Sequence, residues 1–198
     1  MHDPSHQPSH PLRLLAFTAL ALLVWTGCAG RTDDGDSDDS PVDEGVPDTE
    51  HCEPVSDWPE EWSALETEVL ELTNLERAEG ANCGGEIYPP VGPLTMHPQL
   101  RCSARLHSQD MAARDYFEHT TPDGVDFATR VDAAGYEWMV VGENIALGAT
   151  TAEDVVDGWM NSPGHCTNIM ASDFEELGVG HDSTGDLGVL WTQNFGAR

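Results

Sequence analysis

Residues 31–50 form an acidic run that confines any hydrophobic core to the chain on its C-terminal side. The run holds nine Asp or Glu residues and one basic residue, Arg31, and Ser, Gly and Pro make up most of the remainder. Such a segment has no apolar face whose burial would offset the entropy of ordering it. We therefore interpret residues 29–51 as an acidic disordered tether, extended by its own charge repulsion. An acidic ligand-binding tail is the alternative.

The residues before the tether have the pattern of an export signal. The apolar run Leu14–Trp25 is too short to span a bilayer as a helix and is typical of a signal peptide. It leads through small residues to Cys28, in a pattern that resembles the lipobox of bacterial lipoproteins. We interpret residues 1–28 as a lipoprotein signal peptide with Cys28 as the lipidated residue, and an ordinary secretory signal is the alternative. Because Ala29 rather than Asp follows, we expect an outer-membrane or cell-surface lipoprotein, otherwise a secreted or periplasmic protein.

The charge of the chain excludes nucleic acid and anionic membrane surfaces as partners. The formal net charge is −28, with 36 acidic and 8 basic residues. Binding to polyanions needs a clustered basic face, which eight scattered arginines do not provide. We expect contact with a membrane only through the N-terminal lipid anchor, and we expect a monomer.

The cysteine count indicates two disulfides. Lipidation of Cys28 leaves four cysteines, an even number suited to an oxidising compartment. Four cysteines allow three pairings. We favour Cys83 with Cys102, because both flank the loop between the first two predicted helices, which leaves Cys52 with Cys166.

Residues 52–198 predict one domain in which helices precede a hairpin. Apolar residues at helical spacing predict a helix from Trp62 that ends at Gly80, and a second helix that begins near Pro98. Two shorter helices are predicted, one around 127–134 and one that a capping box at Thr150–Glu153 begins and Ser162-Pro163-Gly164 ends. Residues 177–180 and 187–195 predict an antiparallel hairpin. The pattern indicates an α+β fold with helices packed on a small antiparallel sheet.

Four positions place His or Glu beside Gly, Pro or Asn, in predicted loops where packing does not require a polar side chain. These are His119, Glu143, His165 and the pair Glu175-Glu176. Glu143 lies in an apolar stretch, so its carboxylate must be paired or line a cavity. With two imidazoles it would make a divalent-metal site, for zinc as an example. The alternative is a hydrogen-bonded His and Glu that hold loops on the core. His107, on the apolar stripe of the second helix, is interpreted as a core-edge histidine.

Five segments in this order resemble the CAP superfamily, or SCP domain, of cysteine-rich secretory, antigen 5 and pathogenesis-related 1 proteins. The segments are Phe117–Thr120, Gly142–Ala146, Trp159–His165, Leu177–Gly180 and Trp191–Phe195. The resemblance covers about residues 62–195 and is greatest to the bacterial branch. It implies an α/β/α sandwich.

The resemblance also bears on the site. Eukaryotic members line a central cavity with two His and two Glu that can hold a divalent metal, and His119 and Glu143 match the first of each. Leu190 stands at the second His position, and the second Glu has no match after Trp159. The tetrad is therefore incomplete, and His165 is the candidate for a third ligand.

Family resemblance implies lipid or sterol binding by some members, partner binding by many and proteolysis by a few. We interpret the chain as an exported, surface-anchored binding module that takes a lipid, a small ligand or an envelope partner in a His/Glu-lined cavity. One alternative is a metal-assisted hydrolase that uses His119 and Glu143, the latter as general base. The other is a purely structural envelope protein. A divalent metal such as zinc is the one cofactor considered.

Overall fold

The computed structural model describes residues 45–198. The predicted signal peptide, with Cys28, and residues 29–44 of the predicted tether lie outside the described residues. Residues 45–58 pack on the domain: a 3₁₀ turn at Glu53–Val55 buries Val55, and Val46 contacts the cluster around Cys52. Within residues 45–198, no helix combines the length and the apolar character that a membrane span requires.

Five helices and six strands follow this turn in the described residues. The helices are α1 (Glu60–Glu79), α2 (Pro98–Arg114), α3 (Phe127–Ala133), α4 (Ala152–Met160) and α5 (Pro163–Met170). The strands are β1 (Ala81–Cys83), β2 (Glu86–Tyr88), β3 (Thr95–Met96), β4 (Val140–Leu147), β5 (Glu176–Asp182) and β6 (Leu190–Ala197). The α+β prediction is confirmed.

The main sheet has the strand order β3-β5-β6-β4. Strands β5, β6 and β4 are antiparallel, as the predicted hairpin requires, and the short edge strand β3 runs parallel to β5. Along Leu177-Gly178-Val179-Gly180, large residues and glycines alternate between the two faces of the sheet, and each face packs against different helices. Leu177 and Val179 enter the main core with α4 and α5, whereas a Cβ on Gly178 would lie 2.0 Å from the Leu100 carbonyl carbon. Helix α2 therefore packs its backbone directly on the other face.

Three local differences separate the structure from the sequence-based expectations. Helix α5 begins at Pro163, directly after α4, at the residues predicted only to end a helix. The side chain that caps α4 is Thr151, which accepts from Asp154 N, one residue later than predicted. The loop after α1 contains the hairpin β1–β2, which turns at two glycines of positive φ, Gly84 and Gly85.

Two disulfides are present, but the favoured pairing is wrong. The bonds are Cys52–Cys102 and Cys83–Cys166, with Cα–Cα distances of 5.7 and 5.5 Å. Cys102 lies on the part of α2 that residues 45–58 cover, so its neighbour is Cys52. Helix α5, which the sequence pattern did not predict, carries Cys166 to the end of β1 and into the main core with Cys83.

Candidate functional site

Glu143 lies in the middle of β4, opposite Asn194 of β6, on the sheet face that α2 covers. The alternation of β4 brings Ile145 to the same face, where it packs against Met111 of α2. Only 1% of the Glu143 side chain is exposed. The segment around Glu143, which was predicted as a loop, is therefore strand β4, and the Glu143 carboxylate lies beneath helix α2.

The buried carboxylate is saturated by hydrogen-bond donors. His119 Nδ1 lies 2.9 Å from Oε1, and Arg130 Nη2 donates to Oε2 at 2.7 Å. The Asn194 amide satisfies its neighbours when its nitrogen donates to Oε2 at 2.9 Å and its oxygen accepts from Ala104 N at 3.2 Å. Such bonds remove the cost of burying the charge. Glu143 is thus a structural anion that holds the groups around it.

Arg130 connects this carboxylate to the loop that carries His119. Its Nη1 donates to the carbonyl oxygens of His119 at 2.9 Å and Val125 at 3.2 Å. Helix α3 presents Arg130 because Asp126 caps it, accepting from Thr129 N at 2.8 Å. The main chain at residue 119 is therefore fixed, while 49% of the His119 side chain remains exposed.

His107 is fully buried on α2, deeper than the predicted core edge, and its Nε2 lies 3.9 Å from Glu143 Oε1. The same nitrogen is 3.1 Å from the Glu118 carbonyl oxygen, which fits an Nε2–H donor. The pKa of His107 is lowered to about 4, mainly by burial; Glu143 opposes this shift and the nearby Arg130 guanidinium adds to it. The ring is therefore neutral near pH 7 and acts as a buried support for the loop.

His165 lies in the first turn of α5 rather than in a loop. The amide of Asn144 donates to the His165 carbonyl at 3.2 Å, and Asn168 donates to Asn144 Oδ1 at 2.8 Å, so two amides hold α5 against β4. Burial lowers the pKa of His165, and repulsion from a charged His119 lowers it further.

The remaining predicted pair, Glu175-Glu176, serves a different part of the sheet. Glu176 begins β5, accepts from the Tyr136 hydroxyl and pairs with Arg198 Nη2 at 2.7 Å. It makes no described contact with His119 or Glu143. The structure therefore brings His119 and Glu143 into contact, places His165 on helix α5 beside β4, and puts Glu176 at the start of the internal strand β5.

The arrangement does not fit a metal ion bound by His119, Glu143 and His165. A guanidinium already occupies one carboxylate oxygen of Glu143, and a ring N–H occupies the other. Across the part of the chain that the structure describes, no three His, Cys, Asp or Glu side chains are grouped as metal ligands. Zinc sites in proteins need three or four such ligands. Metal binding by these residues is a prediction that this geometry does not support.

Sequence reasoning missed Arg130 and Asn194, which complete the site. A signal for Arg130 existed: the chain has only 8 basic residues, and this one lies on the short helical pattern that contains Phe127 and Val131. An arginine on a helix that packs against a core must be paired. Asn194 had no comparable signal, because an Asn within a strand is ambiguous until the strand register is known.

The sequence matches known families and relatives over most of the described domain. A model described as the cysteine-rich secretory protein family, CAP, matches residues 70–195. The uncharacterized protein YkwD of Bacillus subtilis is 39% identical over 137 residues, which is 69% of this chain and 49% of YkwD. The uncharacterized membrane protein YlbC of the same species is 30% identical over 145 residues, 71% of this chain and 37% of YlbC. The chain thus spans half or less of these curated relatives.

Solved structures agree with this match. An extracellular protein containing a SCP domain from Bacillus anthracis superimposes with a TM-score of 0.58 at 28% identity, covering 68% of this chain and 41% of that one. An outer surface protein from Borrelia burgdorferi gives a TM-score of 0.53 at 21% identity, covering 68% of this chain and 90% of that one. At that identity the second structure shows the fold alone.

Proposed function

Because the chain belongs to the cysteine-rich secretory protein (CAP) family, we propose that it is an exported binding module whose ligand surface is formed by His119 and His165 beside the buried Glu143. The two disulfides support an oxidising destination. The similar Bacillus anthracis protein is described as extracellular, which supports the same destination. Anchoring through Cys28 belongs to this proposal.

One observation carries the proposal: a half-exposed imidazole is fixed by a fully buried carboxylate. The bond from His119 Nδ1 to Glu143 Oε1 leaves Nε2 as the ring nitrogen that can meet a ligand. Arg130 fixes both the carboxylate and the loop, so the ring is held before any ligand arrives. Preorganisation of this kind lowers the entropy cost of binding.

Binding is favoured over the metal-assisted hydrolase because Glu143 is poorly suited to act as a base. Both of its oxygens already accept hydrogen bonds, one from a guanidinium and one from an imidazole. Proton abstraction by Glu143 would leave Arg130 facing a neutral acid in a buried site. A ligand group bound by His119 requires no such change.

A second candidate function is a hydrolase in which His119 itself is the base. A carboxylate that accepts from one ring nitrogen and leaves the other free to take a proton is the arrangement of a general base and its orienting partner. No metal is needed in this scheme. Turnover of casein, peptide and ester substrates that disappears in His119→Ala would support it, and equal residual turnover in the two proteins would remove it.

The binding proposal is tested by native mass spectrometry of the exported protein after incubation with total envelope lipid and with muropeptides. We expect adducts on the wild type that are lost in His119→Ala. The matched control is Glu118→Ala, the adjacent exposed residue, whose side chain has no described bond to Glu143 or Arg130. Adducts of the same mass and abundance on wild type and His119→Ala would overturn the proposal.

A further inference from the structure

Residues 88–94, which we call the proline segment, lead from the end of β2 towards β3 and contain three prolines. Every third side chain of this segment packs against the main core, at Tyr88, Val91 and Leu94. The four residues between them are exposed, namely Pro89, Pro90, Gly92 and Pro93. Burial of every third residue matches the polyproline II helix, which has three residues per turn.

The backbone of the proline segment is restricted to this extended form. A proline fixes its own φ at about −65° and disfavours the α-helical region for the residue before it. These two restrictions cover residues 88–90, 92 and 93. All three peptide bonds that precede a proline are trans, and Gly92 is not one of the glycines with a positive φ. Sequence and backbone therefore agree on a short polyproline II helix.

Two residues of α1 hold the main chain of the proline segment. The Arg77 carbonyl accepts from Val91 N at 2.8 Å, and Arg77 Nε donates to the Gly92 carbonyl at 2.7 Å. The Asn74 amide accepts from Leu94 N at 2.7 Å and donates to the Leu94 carbonyl at 2.9 Å. Arg77 is itself fixed, because its other guanidinium nitrogens donate to main-chain carbonyls of α5 and of the loop after it. The segment is therefore held in its extended form from below.

The exposed side of the proline segment is an apolar ridge. Pro90 and Pro93 are three residues apart, so their rings lie on the same side of the polyproline II helix, about 9 Å apart along it. Pro89 lies in the adjacent row. Ile87, directly before the segment, is 72% exposed and adds a large apolar side chain at one end of the ridge. A contiguous exposed apolar surface is typical of interaction sites.

The charge around the ridge restricts the kind of partner. Residues 86–96 include one acidic side chain, Glu86, and no basic one, and Arg77 beneath the segment is buried. A groove that uses acidic residues to bind an arginine beside the prolines would find no cation here. The chain as a whole carries a formal net charge of −28. Electrostatic complementarity therefore favours a groove with basic residues at its rim.

We propose that the proline segment docks into a groove on a partner protein, lined by aromatic side chains and bordered by basic ones. Pro90 and Pro93 enter the groove, and Ile87 packs at its end. Aromatic-lined grooves bind proline-rich helices because the helix is formed before binding and little conformational entropy is lost. The hydrogen bonds from Asn74 and Arg77 extend this preorganisation to the main chain.

The partner is captured by photocrosslinking from the full-length protein in the cells that produce it. A photoreactive benzoylphenylalanine replaces Ile87 and, as the matched control, Met139, which is 76% exposed on another part of the domain. We expect a crosslinked protein from position 87 that does not form from position 139. The purified partner is then titrated with the wild-type chain, with and without decaproline. Decaproline, itself a polyproline II helix, should displace the chain from the groove.

Two variants show which residues the partner recognises. Pro90→Ala/Pro93→Ala should bind the purified partner at least about tenfold more weakly than the wild type. Pro122→Ala, at an exposed proline in a different loop, should bind as the wild type does. Urea unfolding identifies any loss of the fold in the double variant, and the decaproline competition does not depend on that variant. His119→Ala should also keep wild-type affinity, so the result is independent of the proposed function.

Three results would overturn the inference. They are the absence of a crosslink specific to position 87, a captured protein that decaproline does not displace, and wild-type affinity of Pro90→Ala/Pro93→Ala for the partner.

Discussion

The domain buries two glutamates, Glu66 on α1 and Glu143 on β4, and they do different things. Glu66 accepts from Arg101 Nε at 2.9 Å and from Arg105 Nη2 at 2.6 Å, and Trp58 Nε1 donates to it at 2.8 Å. Both arginines are almost fully buried. Glu143 has one arginine and one imidazole, and that imidazole is half exposed.

The comparison shows that burial of a paired carboxylate does not by itself indicate a functional site. Glu66 joins α1, α2 and the segment before α1 in a closed cluster. The His181 backbone N–H also donates to its Oε1 at 3.3 Å. Glu143 satisfies the same electrostatic requirement but keeps one partner at the surface. Exposure of a partner, rather than burial of the acid, is what makes the second site available to a ligand.

Removal of the Glu66 charge should give the largest loss of stability. Glu66→Gln removes the carboxylate charge that two buried guanidiniums contact, and breaking a buried pair in this way costs about 3–5 kcal/mol. Urea unfolding of the oxidised protein measures the change. Glu71→Gln, an exposed glutamate on the same helix, is the control and should change the unfolding free energy by less than about 0.5 kcal/mol. Equal effects of the two changes would remove Glu66 from its structural role.

One disulfide lies near Glu66 and the other holds the helix next to Glu143. Loss of either should lower the unfolding free energy slightly less than loss of the Glu66 charge. Cys52–Cys102 closes 50 residues around the Glu66 cluster, and Cys83–Cys166 closes 83 residues and holds the helix of His165. Replacing either pair with alanines should cost about 2–4 kcal/mol of unfolding free energy. Only the Cys83→Ala/Cys166→Ala protein should lose ligand adducts in the native spectrum. Loss of adducts in both proteins would show that the two regions are not independent.

Much of the fold followed from the sequence because local signals agreed. The stop at Gly80, with φ of 80°, the start of α2 at Pro98 and the β5–β6 hairpin were all predicted. Helix α5 was missed because it begins within Ser162-Pro163-Gly164, a combination that is also typical of a helix stop. The disulfide pairing was wrong for that reason, since Cys166 reaches Cys83 only when α5 exists.

The sequence predicted the site only at a residue whose chemistry differs from that of its neighbours in the chain. Glu143 interrupts an apolar run, so its need for partners was visible in the sequence. Its partners come from positions 13, 24 and 51 residues away, and only the fold brings them together. Glu66 was missed because glutamate is common on an exposed-looking acidic helix. Its burial follows from the arginines of α2, a tertiary effect without a local signal.

Glu143→Gln should lower the unfolding free energy less than Glu66→Gln does. The two changes together measure how the sites around these two glutamates differ. Arg130 would lose its counterion but keep its two carbonyl acceptors, and it is 9% exposed rather than fully closed off. We expect a loss of about 2 kcal/mol of unfolding free energy. Urea unfolding next to the Glu66→Gln measurement checks the order. A loss as large as that of Glu66→Gln would contradict the view that the second centre is more open.

A buried histidine lies beside each glutamate, His107 beside Glu143 and His181 beside Glu66. Their burial predicts that the stability of the protein falls in acid. Burial lowers the pKa of both His107 and His181 to about 4, from 6.5 in the unfolded chain. Between these values the unfolded state binds a proton that the folded state does not, so stability is complete above about pH 6.5 and falls as the pH decreases. From about pH 7 to about pH 5.5, each histidine should contribute a loss of about 1 kcal/mol.

The variant that isolates this effect is His107→Gln, whose amide keeps a donor for the Glu118 carbonyl. Glu143, Arg130 and Asp110 remain, so their charges act equally in both proteins. The unfolding free energy of the variant should fall less steeply with acid than that of the wild type. The matched control is His51→Gln, the same change at an exposed histidine. If His107→Gln kept the wild-type pH dependence, folding would not change the pKa of the buried ring.

His119→Ala should have the smallest effect on stability, and that result would complete the comparison. The side chain is half exposed, and Glu143 keeps Arg130 and Asn194 as donors after the ring is lost. We expect a change within about 0.5 kcal/mol of unfolding free energy, together with loss of ligand adducts. Trp58→Phe removes the corresponding neutral donor from Glu66 and should cost about 1 kcal/mol, because that carboxylate is closed to water. If His119→Ala were the more destabilising of the two, the imidazole would belong to the core, and the surface at Glu143 would be as closed as that at Glu66.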